Sequence, residues 1–270
     1  PTGLIDKYKN LIRFGTMTFN NNGSASETGS GKLPVPKACS ITQTRICFVD
    51  GDCPTGETCS TFTNMDGGAI ISYIGVGNCS ATTGTSCKVD GDCPAGETCN
   101  PVGNHASGLI NQIDSCVAST WTPFSEAFYD IIGYYTQNSS MRISAKDFQT
   151  NGENANLPNP VQYLCQKNNI LLVTDGMSTA DQNSQVLSFV SSNNNGGTYT
   201  GSPSPTIQTP PSYFGSVNVD QLSWYGCKFD SAQNGCTANL TNSGVSWSGK
   251  RINPITTHVV YSGIPCQYKD

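Results

Sequence analysis

NILLVTDG, residues 169–176, is an apolar run closed by Asp175 and Gly176. Aliphatic side chains fill consecutive rather than alternate positions, the pattern of a central parallel strand buried on both faces, and Asp-Gly supplies the turn that ends it. Working outward, RFGTMTFN (13–20) is a β-rich run after a helical stretch at 5–12, and GGAIISYIGVG (67–77) is a second strand bounded by glycine. Leu109, Ile110, Ile113 and Val117 then recur at helical spacing. A stronger helix follows, with Thr122 as candidate N-cap and Pro123 in its first turn. Its residues Phe124, Ala127, Phe128, Ile131 and Tyr135 form one apolar stripe. A helix near 182–190, a Gly/Ser/Pro-rich loop to 211, a helix around 219–229 and a last strand at 256–262 complete the alternation. The expectation is an α/β fold, an open, mostly parallel sheet flanked by helices. Ligands of such sheets bind at the carboxyl ends of the strands, where Asp175 would lie.

Two copies of a cysteine module interrupt this frame. Cys39, Cys47, Cys53 and Cys59 recur as Cys79, Cys87, Cys93 and Cys99, each displaced by 40 residues, and VDGDCPTGETC (49–59) is matched by VDGDCPAGETC (89–99). Each copy, at 37–62 and 77–102, has too few large apolar side chains to build a core. Two disulfides per copy would take its place, and three pairings are open within each. The modules are expected as disulfide-rich loop insertions, in surface connections where they disturb the core least. Their carboxylates, Asp50, Asp52 and Glu57 with Asp90, Asp92 and Glu97, admit two readings. Closely spaced carboxylates in Gly-rich loops suit Ca²⁺, but Asp-Gly and Pro-x-Gly are also turn formers between disulfides. Zinc fits the cysteine spacing poorly, because structural zinc sites favour pairs two to four residues apart.

Thirteen cysteines in 270 residues point to an oxidising, extracytoplasmic compartment. The odd number leaves one without a partner within the chain. A net charge of −5 with no Lys/Arg cluster removes the counterion-release drive for nucleic-acid binding. No apolar run reaches the roughly 20 residues of a membrane span. With no phosphate loop, no Gly-x-Ser-x-Gly elbow and no His-Glu-x-x-His, an enzyme is not expected. His258, alone in an apolar strand, reads as a satisfied core residue rather than a base.

ILLVTDGMSTAD (170–181), STWTPFSEAFYDIIGYY (119–135), RFGTMTF and GGAIISYIG together resemble, in that order, the von Willebrand factor A-like domain of PilY-type proteins at the tip of type IV pili. The resemblance spans most of the chain outside the modules. It implies a pilus-tip or cell-surface adhesin whose partners are pilus or minor pilin subunits and a surface or host ligand. It also implies a metal-ion-dependent adhesion site for Mg²⁺ or Ca²⁺, with Thr122 as its threonine and Asp175 as its aspartate. That site's Asp-x-Ser-x-Ser loop does not occur before Arg13, so residues 1–270 read as a single, incomplete domain lacking its first, central strand. The remaining possibility is a disulfide-stabilised cap or spacer of an extracellular filament, without metal-dependent binding.

Overall fold

The computed structural model describes residues 3–20, 37–41, 46–47, 50–61, 67–116, 122–174, 178, 181, 183–193, 218–230, 235–237 and 240–261. Helix α1 (Leu4–Tyr8) leads into β1 (Thr16–Phe19). The first module carries β2 (Lys37–Cys39), β3 (Ile46–Cys47) and β4 (Cys59–Thr61), and β5 (Gly68–Ser72) follows it. The second module carries β6 (Gly77–Cys79), β7 (Ser86–Cys87) and β8 (Cys99–Asn100). Then come α2 (Gly108–Asp114), α3 (Phe124–Thr136), β9 (Asn168–Thr174), α4 (Ser184–Asn193), α5 (Val219–Gly226), β10 (Lys228–Asp230), β11 (Gly235–Thr237) and β12 (Ile255–Tyr261).

The chain is a mixed α/β structure with disulfide-bonded loops, and among the described residues its strands form small antiparallel and parallel sheets rather than one open parallel sheet. β12 pairs in parallel with β9, from Ile255 opposite Asn168 to Tyr261 opposite Thr174. β1 pairs antiparallel with β5. The modules and the β10–β11 hairpin make three further small antiparallel sheets. The reading of β9 as buried on both faces is corrected in the same way. Asn168, Ile170 and Thr174 point into the core, whereas Leu171 and Val173 are 64% and 63% exposed. β9 has one strand neighbour among the described residues, and the outer face of that parallel pair stands open to solvent. His258 lies on this face opposite Leu171 and is exposed, with Nε2 3.4 Å from Asn169 Oδ1, so it is not a core residue.

Helix α3 organises the rest. It begins one residue beyond the expected position: Pro123 is the N-cap, no side chain of its own caps it, and the Thr122 carbonyl accepts from Phe124 N at 2.9 Å. It ends where Gln137 turns left-handed (φ 54°) and the Gln137 and Asn138 N–H groups close back on the carbonyls of Tyr134 and Gly133. The expected stripe is buried or half-buried, but so is nearly every other side chain of the helix. β1 and β5 cover one side, where Phe19 meets Phe124 at 5.5 Å. α4 and α5 cover another through Tyr129, Phe189 and Tyr225, whose rings stack edge-on at 5.0 and 4.9 Å. Gly133 admits the Met141 backbone so closely that a Cβ there would collide with the Met141 carbonyl. The Tyr135 hydroxyl donates to the Asn169 carbonyl at 3.1 Å, tying α3 to β9, and burial pushes its pKa up to about 12.

Smaller links fix the edges. The guanidinium of Arg142 grips Glu153 in a fork of 2.7 and 2.8 Å contacts and donates to the Phe148 carbonyl. This fork, with the backbone and hydroxyl of Thr150, holds the Glu153 pKa down at about 2. At the exit of the second module, His105 lies between two carboxylates, Nδ1 2.8 Å from Asp114 of α2 and Nε2 3.4 Å from Asp6 of α1. The hydrogen bond to Asp114, then its charge, then Asp6 raise the His105 pKa.

Two outcomes are expected. Because the His105 pKa is raised on folding, the clamp is fully formed below about pH 6.5 and is lost as pH rises through the raised value. Thermal melts across pH 5–9 should show a small loss of stability over that window, absent in His105→Ala; an identical pH profile in the variant would refute the clamp. Gly133→Ala should destabilise the protein despite the roughly 1 kcal/mol gain in helix propensity, by on the order of 1–3 kcal/mol of overpacking, read by urea denaturation.

Candidate functional site

The amino half of α3 gathers buried polar side chains, three of them carboxyl groups. Ser125, Glu126, Asp130 and Asp181 are all essentially inaccessible to solvent. Burying a carboxylate is costly unless its oxygens are hydrogen-bonded, and here backbone N–H groups do this. Asp181 accepts from Ser125 N and Glu126 N at 3.1 Å each, and from the Ser178 hydroxyl at 2.7 Å. It therefore occupies the capping position that Thr122 was expected to fill, where free N–H groups and the helix dipole favour an anion. Glu126 accepts from Gly67 N and from Asn183 N, both at 2.8 Å. One turn further on, Asp130 accepts from Gly68 N at 3.0 Å and Ile143 N at 3.1 Å. Gly67 has a φ of +75° and lies directly against the Asp130 carboxylate, so both backbone angle and space call for glycine there.

These bonds tie Ser178 and Asp181 to the amino end of α3. Ser178 and Asp181 follow the last residue of β9, Thr174, and Asp181 grips the first turn that begins just after Thr122. Thr122 is half-buried on this rim. Asp175 lies outside the described residues, which include Thr174 before it and Ser178 and Asp181 after it. Thr122 offers a hydroxyl oxygen, a ligand type that suits Mg²⁺ or Ca²⁺. The oxygens of Asp181 and Glu126 are engaged by backbone donors. Glu126, Asp130 and Asp181 were not singled out from sequence as site residues; the available signal was a Glu-x-x-x-Asp pair inside an otherwise apolar helix with no basic residue in its length.

A fourth buried carboxylate closes the neighbouring edge. Asp147 accepts from Asn20 Nδ2 at 2.9 Å and from Ser144 N, while its own carbonyl accepts from Ile70 N of β5 at 2.8 Å. Desolvation pushes its pKa up to about 6.

The modules resolve into a shared plan. In the second, Cys79–Cys93 and Cys87–Cys99 are bonded, with Cα separations of 5.6 and 5.8 Å. The strand registers agree across the copies: Cys39 faces Cys59 as Cys79 faces Cys99, and Lys37 faces Cys47 as Gly77 faces Cys87. In the first module Cys53 and Cys59 each take part in a disulfide. The repeated carboxylates are spread over separate backbone donors. Asp50 accepts from Cys59 N and Asp90 from Cys99 N, at 2.7 and 2.8 Å. Asp92 accepts from Lys88 N and Val89 N. Glu57 accepts from Ile41 N, and Glu97 from Ala81 N, Thr82 N and the Thr82 hydroxyl. The hydroxyl and N–H of Thr82 hold the Glu97 pKa below its usual value, and the N–H groups of Lys88 and Val89 do the same for Asp92. The Asp52 side chain lies outside the described residues. Among the described residues, the one trio of candidate metal-ligand atoms within 4.8 Å of one another is Cys79, Cys87 and Cys93. Their sulfurs are committed to disulfides, so they would become thiolate ligands only on reduction.

No protein-family model, curated protein or solved structure matches this chain.

Glu126→Ala would leave the Gly67 and Asn183 N–H groups without their acceptor inside the protein. It should cost about 2–5 kcal/mol, measured by urea unfolding; a loss below about 1 kcal/mol would show that water readily replaces the carboxylate. For the modules, carrying the observed pairing across the repeat predicts Cys39–Cys53 and Cys47–Cys59. Peptide mapping without reduction checks this, and a Cys39–Cys47 or Cys39–Cys59 peptide would contradict it.

Proposed function

We propose that the chain is an extracellular binding domain, of the von Willebrand factor A-like kind, that serves in surface attachment and pilus assembly at the tip of a type IV pilus. The observation that carries the reading is Asp181 bonded to the first turn of α3. That bond ties a residue of the segment after β9 to the helix start that follows Thr122, which supports a site at the carboxyl end of that strand. In this reading the separate pairs β1–β5 and β9–β12 belong to one α/β core, to which Ile70, Ile170 and Ile255 contribute together with α3. Thr122 and Asp175 would supply oxygen ligands to Mg²⁺ or Ca²⁺, and waters with an acidic group on the partner would complete the shell. Its partners would be pilus or minor pilin subunits and a surface or host ligand. The proposed role is non-enzymatic.

A second reading is favoured by the repeated modules. Asp50/Asp90, Glu57/Glu97 and Ser40/Ser80 do the same hydrogen-bonding work in both copies, the serines accepting from Thr58 N and Thr98 N. The repeat identities are thereby accounted for by the module's own architecture, which suits a hardened cap or spacer on a filament.

Binding of the exported protein to its surface, with and without EDTA and with Asp175→Ala, separates the two. The adhesion site predicts at least tenfold weaker attachment in both cases. Attachment indifferent to chelation and to Asp175→Ala would leave the structural role.

A further inference from the structure

The carboxyl end of α3 opens on a cavity of about 340 Å³, at the small end of the range for ligand sites. Gln137 and Asn138, which close the helix, line it together with Thr241, Ser243 and Lys250. Tyr225 of α5 and the buried Leu240 add apolar surface.

These groups are fixed before any ligand arrives. Asn242, fully buried, donates to the Tyr135 carbonyl at 2.7 Å and exchanges two amide hydrogen bonds of 2.9 Å with Asn159. Its N–H donates to the Lys250 carbonyl at 2.9 Å, and Ser243 N donates to the Thr136 carbonyl at 3.4 Å. The segment that carries Thr241 and Ser243 is thereby clamped to the helix end. Gln137 is committed at both ends of its amide, Nε2 donating to the Tyr134 carbonyl at 2.8 Å and Oε1 accepting from Asn151 N at 2.7 Å. Among the described residues, the non-glycine residues with positive φ are Gln137 at 54° and Lys250 at 50°, and both line this cavity. Such conformations cost energy and gather at binding sites. At Gln137 the turn also closes the helix. At Lys250 it positions the one charged side chain of the described wall, whose Nζ donates to the Ser243 carbonyl at 3.1 Å.

The wall offers a ligand several polar groups around one cation. An ammonium has three donors, of which the bond to Ser243 uses one. Asn138 Oδ1 accepts from Ser140 N at 3.1 Å, so the N–H end of that amide is what it can offer a ligand. The hydroxyls of Thr241 and Ser243 both donate and accept. Amide and hydroxyl groups beside apolar surface match the O–H and C–H groups of a sugar ring, and the ammonium adds a place for a carboxylate. We propose that this cavity binds a single sugar unit that carries a carboxylate, a uronic acid in kind. Lys250 holds the carboxylate, Asn138, Thr241 and Ser243 meet ring hydroxyls, and Tyr225 and Leu240 pack against the C–H face. A wall already in place lowers the entropy cost of binding.

The test titrates the oxidised chain with galacturonic acid, with galactose, the same ring without the carboxylate, and with acetate, the charge without the ring. Isothermal calorimetry and saturation-transfer NMR read the binding. Galacturonate should bind with a millimolar or lower Kd, at least tenfold more tightly than galactose or acetate. Lys250→Met should weaken it about tenfold, the loss of one charge-assisted hydrogen bond, to the level of galactose. Asn138→Ala should weaken both sugars several-fold. Both side chains are exposed, and an unchanged melting temperature identifies a folded variant. No binding of galacturonate at millimolar concentration, equal binding of galactose or acetate, or binding undiminished in Lys250→Met would each overturn the proposal. The cavity lies at the other end of α3 from Thr122, so these outcomes are separate from those with EDTA and Asp175→Ala.

Discussion

The structure depends on burying carboxylates against backbone N–H groups along one helix. Glu126 and Asp130 sit one turn apart on α3, and Asp181 closes its amino end. Together they hold the start of β5, the loop at Ile143 and the segment that leads into α4. An ionised group in an apolar interior is tolerable when charge-assisted hydrogen bonds replace its water. The same requirement makes each bond directional, so the three segments they hold are located to within a hydrogen bond's tolerance. Apolar packing around Phe128, Ile132 and Tyr135 supplies the non-directional attraction, and the carboxylates determine which loops meet it.

The cysteine modules solve a different problem by different means. Strands of two or three residues cannot bury enough apolar surface to persist alone. In the second module two disulfides closing loops of 14 and 12 residues contribute about 3 kcal/mol each on a chain-entropy account. Backbone-capping carboxylates then order the turns between them. Each module is therefore nearly self-contained, and the same plan can occur twice in the chain around β5 without altering the core. Core and modules share one device, a carboxylate accepting backbone N–H groups, but it works in a dry interior in one case and at a wet surface in the other. That difference is why the core carboxylates are the more consequential for stability.

Much of this was legible in residue order. The repeat announced the modules because cysteine spacing is a covalent constraint that does not depend on distant packing. β9 and β12 fell where apolar runs end in turn formers, and α3 fell where its stripe recurs. The helix start was placed one residue early, because the cap comes from Asp181, 56 residues beyond Ser125, and no local rule can see it. Leu171 and Val173 were misread as interior because an uninterrupted aliphatic run fits a strand covered on both faces, and coverage is a property of neighbours. The acidic pattern of the modules left a cation reading and a turn-forming reading both open, because proximity along the chain does not say which donors each carboxylate meets. In the fold, Asp90, Asp92 and Glu97 turn to separate backbone donors.

By itself the sequence determined what short-range chemistry determines: an exported, cystine-rich chain, two equivalent modules, the positions of the main helix and strands, and an odd thiol. Only the tertiary structure decided which side chains meet. It placed Asp181 on the end of α3, turned Glu126 and Asp130 inward, left one face of β9–β12 open, and set Lys250 in one cavity wall with the carboxyl end of α3. The physical reason is that propensity, periodicity and disulfide spacing act within a few residues. Hydrogen bonds to buried charge and the coverage of a sheet join groups far apart in the chain, and nothing local encodes them.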